Sequence, residues 1–371
     1  MTSFDTGTDL GGDVAADTGT HTPLSGYTTL RLGGPADRFV SVDRSTDLVD
    51  AVRAADAAGD PLLLLGGGSN LVVADEGFAG TVVRIATAGC GFDRLRDGLV
   101  QLTAEAGEPW DDVVARTVAE DLGGLECLSG IPGLVGATPV QNVGAYGVEI
   151  AESLISVDLM DRRGGQVRTV RAEALGLGYR MSVLKGSETA VVLRVRLALA
   201  NGGQSVPIRY AELARALGVE PGGRVPVADA RAAVLELRRS KGMLLDEQDH
   251  DTWSAGSFFT NPVLPDAELS AVRARIAERL GAETAVPAYP GGPGRTKLSA
   301  AWLIDRAGFR RGYAGPGGRV ALSGKHTLAL TNRGHATTAD LLALAREVRD
   351  GVLTAFGVRL FPEPVLVGCS L

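Results

Sequence analysis

Ile131-Pro132-Gly133-Leu134-Val135-Gly136-Ala137-Thr138-Pro139-Val140-Gln141-Asn142-Val143-Gly144-Ala145-Tyr146-Gly147 decides the reading of this chain. Its four glycines and two prolines break any helix, and it lacks the alternation of a strand, yet it stays too apolar for a surface linker. A buried irregular backbone must find partners for its N–H and C=O groups, and a polar ligand held against the main chain would supply them. Glycine lets a flat ring or a phosphate come close, while Gln141, Asn142 and Tyr146 offer the few polar groups that orient a ligand in an apolar pocket. A glycine-rich packing loop inside an ordinary core remains the competing reading.

A second glycine run, Gly66-Gly67-Gly68-Ser69-Asn70, follows the apolar stretch 62–65. Consecutive small residues there can aim backbone N–H groups at an anion, although the run fits neither GxGxxG nor the P-loop pattern. A ligand-free tight turn explains three glycines equally well.

Around these loops the patterning alternates strands and helices. Ser45 or Thr46 is expected to cap a helix with Leu48, Val49, Val52 and Ala55 on one face, ended by Gly59-Asp60-Pro61. Strands are expected at 62–65, 81–85, 99–105, 157–160, 167–170 and 191–199, with a helix over 111–122. Beyond Lys241 the texture changes: Asp266 and Thr338 are expected to cap helices with apolar stripes, around an apolar stretch at 298–307 and a short strand at 327–331. Pro221-Gly222-Gly223 and residues 287–294 read as joints. The expectation is a mixed α/β and α+β protein.

Composition fits a globular protein with a sizeable core. The 371 residues are 45% hydrophobic and carry a net charge of −7, with basic residues scattered, which argues against a nucleic-acid-binding stripe. Cys90, Cys127 and Cys369 are far apart, and the four histidines lack ligand spacing, so neither a disulfide scaffold nor a metal site is expected. Residues 1–21 read as a disordered tail without a signal peptide, and no run reaches membrane-span length. A reducing cytoplasm is the expected location.

Three short pieces hold the remaining chemistry. Tyr179-Arg180 reads by itself as a strand-end aromatic and a solvated charge. Ser257 in Gly256-Ser257-Phe258-Phe259-Thr260-Asn261-Pro262 reads as a small residue beside two aromatics, and Glu363 sits between two stiffening prolines, Pro362 and Pro364. Arg238-Arg239-Ser240-Lys241 is a basic cluster suited to a diphosphate or to plain surface charge.

Together and in this order, the pieces resemble the UDP-N-acetylenolpyruvoylglucosamine reductases, bacterial cell-wall flavoenzymes also called UDP-N-acetylmuramate dehydrogenases. The resemblance runs from about residue 28 to 368 and follows the longer form of that family. It implies a two-lobed FAD-binding domain of the vanillyl-alcohol-oxidase type, with lobes at 22–86 and 87–243 and the tail 357–371 returning to the second. A smaller α+β substrate-binding domain would occupy 244–356.

FAD would be held by Gly66, Gly67, Gly68, Ser69, Asn70, Ile131, Pro132, Gly133, Val135, Gly136, Ala137, Thr138, Gln141, Asn142, Gly144, Ala145 and Tyr146. By the same resemblance Arg180, Ser257 and Glu363 are catalytic, with Ser257 the proton donor. Tyr179, Tyr210, Lys241, Asn261, Tyr289 and Lys297 would bind substrate. The implied reaction is the NADPH-dependent reduction of UDP-N-acetylglucosamine enolpyruvate to UDP-N-acetylmuramate, a peptidoglycan precursor, by a monomer. An FAD-dependent oxidase of the same superfamily and a non-enzymatic nucleotide-sugar sensor are the alternatives.

Overall fold

The computed structural model describes residues 17–95 and 98–371. Its first unit is a four-stranded sheet in the order Asp17–Pro23, Pro35–Val42, Phe78–Ile85, Leu62–Leu65. The first pair is antiparallel and the other two are parallel. The helix Ser45–Ala58 buries Leu48, Val49, Val52 and Ala55 against it and ends at Gly59, whose left-handed φ of 71° lets its N–H meet the carbonyls of Ala55 and Asp56. No side chain caps the helix start, and Ser45 Oγ donates instead to Glu105 Oε2 at 2.5 Å.

The tail expected over residues 1–21 is a paired edge strand from Asp17 onward. Thr18, Thr20 and Thr22 give it β-branched residues at alternate positions, but an edge strand so polar resembles coil in composition. Residues 1–16 lie outside the described residues.

The second sheet is antiparallel throughout, in the order Val167–Arg171, Leu154–Asp161, Ala190–Asn201, Leu99–Glu105, Cys90–Arg94. In the pairing of Leu154–Asp161 with Ala190–Asn201, the register shifts between Asp158 and Leu159. The shift reverses side-chain parity, so one strand serves two cores. Val191 and Leu193 pack with Val42 and Val83 of the first sheet and with Leu48 and Val52 of its helix, while Val192, Val195, Leu197 and Leu199 join the second sheet's own core.

That core centres on Trp110, which opens the helix Trp110–Ala119 and is 1% exposed, with Nε1 donating to Leu128 O at 3.0 Å. Trp110→Ala should lower stability by about 3–5 kcal/mol, the usual cost of emptying a large aromatic site. Urea unfolding of the purified variant checks this, and a loss below about 1 kcal/mol would contradict the packing described.

The third unit carries the helices Asp266–Leu280, Ala300–Ala307 and Thr338–Phe356. Two expected caps are corrected. Thr337, not Thr338, forms the capping box with Asp340, while Thr338 Oγ1 donates to Val73 O at 2.6 Å. Asp266 is the first helical residue after Pro265, and its carboxylate accepts from Thr296 Oγ1 at 2.7 Å. In both cases a tertiary acceptor or donor outcompetes the local turn.

Asp75 also accepts the N–H groups of Thr338 and Ala339, which fixes the last long helix onto residues 73–75. The strand Val365–Val367 lies parallel to Leu71–Val73, so the chain end returns beside the first glycine run, within residues 22–86, and not to residues 87–243 as expected. Leu30, Leu32 and Val72 belong to the core of this third unit. No helix among the described residues is long and apolar enough to cross a membrane.

Candidate active site

The strand Leu62–Leu65 delivers the chain into residues 66–70, where the two glycine runs meet. A Cβ on Gly67 would stand 2.7 Å from Gly133 Cα, and one on Gly68, at φ 59°, would stand 1.8 Å from Tyr27 O. These two positions therefore demand glycine through backbone contact alone. Side chains stitch the runs together: Ser69 Oγ donates to Pro132 O at 3.0 Å and Asn70 Nδ2 to Gln141 Oε1 at 3.0 Å. Among the described residues, no backbone N–H of Gly66, Gly67, Gly68, Ser69 or Asn70 donates to a protein acceptor. Five adjacent donors without a protein partner form the kind of nest that takes a phosphate group.

The longer loop behaves differently from expectation. The N–H groups of Val135, Gly136, Ala137, Thr138, Val140, Asn142 and Val143 are bonded within the protein, largely by short turns, so no ligand is required to satisfy them. Val135 and Thr138 are buried, and a Cβ on Gly136 would stand 2.5 Å from Ala106 Cβ. Asn142, 1% exposed at φ 45°, donates to Glu149 Oε2 and Gly178 O and accepts from the N–H of Ala151. These four residues support the loop from behind. Ile131, Pro132, Gly133, Ala137, Gln141, Gly144, Ala145 and Tyr146 keep some exposure. A glycine cradle backed by a rigid loop, with an anion nest at one end, fits a dinucleotide such as FAD.

Arg180 and Glu363 meet beside this loop. Arg180 lies in a tight turn closed by reciprocal 3.0 Å bonds between Gly178 and Met181, and its φ of 54° is left-handed. A side chain held in that region costs about 1–3 kcal/mol, a strain typical of functional positions. Its Nε donates to Glu363 Oε1 at 3.0 Å and its Nη2 to Gly144 O at 2.8 Å. Among the described residues Nη1 donates to nothing. Lys185 Nζ holds the Arg180 carbonyl at 3.0 Å.

Burial pushes the Glu363 carboxyl above the usual range, against the pull of Arg180 and Lys185. The backbone of Glu363 donates to Phe258 O at 2.8 Å, and Phe259 bridges Pro362, so the same pairing lines up the Ser257 segment with the glutamate.

Ser257 Oγ lies 3.5 Å from His326 Nε2. His326 was not singled out from the sequence, where it stands in a short loop 69 residues away and shows no local signal. Nearby, Tyr146 and Tyr210 form an edge-to-face pair with centroids 5.5 Å apart, Lys241 Nζ lies 6.0 Å from the Tyr146 ring, and Lys241 pairs with Glu212. Burial raises the Tyr146 phenol to about 12. Arg238, of the basic cluster, is enclosed here; its Nη2 donates to Met243 O, while its Nε has no hydrogen-bond partner among the described residues. Desolvation lowers its pKa, and such a cation in a tyrosine-lined recess suits an oxyanion.

The other predicted residues form a second group. Lys297 Nζ lies 4.4 Å from the Tyr179 ring centroid, and Tyr289 pairs in register with Lys297. Burial raises the Tyr179 phenol, with Arg180 opposing, and Asn261 is its hydrogen-bonding neighbour. Asn261 Oδ1 is already committed to the N–H of Ala300 at 2.9 Å, which leaves its amide N–H groups for other partners. Tyr146, Tyr210 and Lys241 thus form one cluster, with Arg238 beside it, and Tyr179, Asn261, Tyr289 and Lys297 a second, which Arg180 joins at 5.5 Å from the Tyr179 ring centroid.

Comparison with known proteins adds the following. Residues 247–367 match the family model described as UDP-N-acetylenolpyruvoylglucosamine reductase, C-terminal domain, and residues 36–171 match that of an FAD binding domain. The UDP-N-acetylenolpyruvoylglucosamine reductase of Saccharopolyspora erythraea is 71% identical over 97% of this chain and 98% of its own. That of Thermobifida fusca is 57% identical over 94% and 98%. The crystal structure of UDP-N-acetylenolpyruvylglucosamine reductase from Thermus caldophilus matches with a TM-score of 0.63 at 26% identity, covering 95% of this chain and 99% of that one.

Proposed function

The chain belongs to the UDP-N-acetylenolpyruvoylglucosamine reductase family, and from that premise we propose that it reduces UDP-N-acetylglucosamine enolpyruvate to UDP-N-acetylmuramate with NADPH. The product is a precursor of peptidoglycan, made in the cytoplasm. FAD, held without a covalent link, would supply the hydride chemistry that links the nicotinamide to the enolpyruvyl double bond. The amide nest of residues 66–70 would take its pyrophosphate, and the exposed edge of residues 131–146 its ring.

The observation that carries the reading is the bonding of Arg180 at once to Glu363 and to the Gly144 carbonyl of the glycine loop. It ties a carboxylate-recognising cation directly to the proposed flavin cradle. Arg180, with Nη1 free, binds the enolpyruvyl carboxylate and stabilises the negative charge that spreads onto it when the double bond is reduced. Glu363 fixes the direction of the guanidinium. Ser257 gives its hydroxyl proton to the adjacent carbon. Arg238, Lys241 and Tyr210 hold the diphosphate, and Tyr179, Asn261, Tyr289 and Lys297 complete the cleft. The bulk of residues 244–356 acts as the substrate-binding part.

Incubating the purified protein with NADPH and the enolpyruvyl sugar nucleotide should give a product heavier by two hydrogens, read by mass spectrometry. Recovery of unchanged sugar nucleotide from a yellow, NADPH-oxidising protein would reject the substrate assignment. Acid precipitation should leave FAD in the supernatant. Gly67→Ala, which drives a methyl into the backbone of Gly133, should purify folded but with most of the flavin lost. Full flavin content in that variant would contradict the cradle.

A further inference from the structure

Outside the residues so far assigned, His326 presents a partly buried imidazole to the proposed proton donor. We infer that His326 is the positioning residue of that donor: its Nε2–H donates to Ser257 Oγ, which leaves the hydroxyl hydrogen free to point at substrate. The inference rests on the reading of Ser257 as the acid.

The geometry supports it first. Nε2 is the ring nitrogen that faces Oγ, at 3.5 Å in the free protein, a separation that substrate closure can tighten. The backbone around both groups is fixed: the N–H of Phe258 donates to Leu328 O, two residues past His326, and the N–H of His326 donates to Ser323 Oγ. The two side chains are therefore held by adjoining, mutually bonded segments.

A facing Ser and His suggest a second chemistry, in which the imidazole removes the serine proton to make a nucleophile. The surroundings argue against it. Lys241, Arg238 and Arg311 all disfavour a positive charge on His326, and Glu212 is the one opposing neighbour among its main influences. Burial, ahead of these cations, lowers its pKa to about 4, so the ring stays neutral in the physiological range. A base that would become an imidazolium amid three cations is poorly placed, whereas a neutral N–H donor suffers no such penalty. The same cations favour an oxyanion on serine.

The proton step then balances without another reactant. The Ser257 O–H bond breaks as a C–H bond forms on the substrate carbon that carries the electron pair. The pair of the O–H bond stays on Oγ as an alkoxide, which receives the Nε2–H hydrogen bond. A solvent proton, the one consumed with each hydride in the net reduction, restores the hydroxyl after product leaves.

A double-mutant cycle in single turnover tests this. Enzyme reduced anaerobically with dithionite is mixed with the enolpyruvyl sugar, and the return of yellow absorbance is followed for the native protein, Ser257→Ala, His326→Ala and the double variant. His326→Ala should slow the step by about 10–100-fold with little change in the half-saturating sugar concentration. His326→Gln, which keeps an N–H at similar reach, should recover most of it. In the Ser257→Ala background, removal of His326 should cost nothing further. An equal cost in both backgrounds, or an effect on half-saturation alone, would mean that His326 binds substrate directly and would overturn the inference. Native behaviour of Ser257→Ala would instead overturn the reading of serine.

A readout independent of turnover uses 15N-labelled histidine in the free enzyme. Long-range nitrogen–proton correlations should show His326 as the Nε2–H tautomer, and an Nδ1–H tautomer there would sink the proposal even if the alanine variant fails to fold.

Discussion

Ser257→Ala should be reduced by NADPH at close to the native rate, while its reoxidation by the enolpyruvyl sugar slows by about 10²–10⁴-fold. The asymmetry follows from where the hydroxyl is needed. Taking reducing equivalents from NADPH requires no proton on a substrate carbon, whereas completing the reduction of the enolpyruvyl group does. Ser257 stands on a segment bonded to the Glu363 backbone and anchored by Phe258 and Phe259, each 1% exposed in the adjoining core, so the hydroxyl is held in place and its loss leaves no positioned acid. Stopped-flow measurement of the two stages separately checks the expectation. Equal damage to both stages would point to binding or folding, and native turnover would remove serine from the mechanism.

Arg180→Lys should reduce kcat by about 10²–10³-fold, the scale seen when a preorganised donor to developing charge is removed. Lysine keeps the charge but cannot reach Glu363 and Gly144 O at once while presenting a third N–H edge. It also leaves a carboxyl whose pKa burial already raises, which without its fork will hold its proton more readily. Steady-state kinetics with flavin content as a control decides it. A variant within about tenfold of native would show that charge alone suffices and that the fork is incidental.

The parts of the site that are backbone-driven were the most legible. Gly67 and Gly68 announce themselves because contact with Gly133 and Tyr27 leaves no room for a side chain, and no other residue type solves that problem. The apolar stripe Leu48, Val49, Val52 and Ala55 likewise yields its helix from spacing alone. Competition between local and distant partners was not legible: Thr338 satisfies Val73 across the fold and leaves the cap to Thr337. The exposed edge strands Asp17–Pro23 and Cys90–Arg94 lack an apolar face and so lack a signature.

The chemistry itself is the least local feature. Arg180 and Glu363 are 183 residues apart, and each alone reads as a solvated charge. Only resemblance joined them in the sequence, and the fold supplies the physical link through the parallel pairing of Val365–Val367 with Leu71–Val73. His326 had neither a local signal nor a place among the residues the resemblance implied. Asn142, expected to serve a ligand, spends its polar atoms on Glu149, Gly178 and Ala151, a commitment visible only once the loop is folded.

The most direct measurement is an anaerobic titration of the purified protein followed by its visible spectrum. NADPH should bleach the yellow absorbance completely, and one equivalent of UDP-N-acetylglucosamine enolpyruvate should then restore it and yield UDP-N-acetylmuramate. A protein that bleaches with NADPH, stays bleached in the presence of the enolpyruvyl sugar and recovers its colour only when air is admitted would contradict the account.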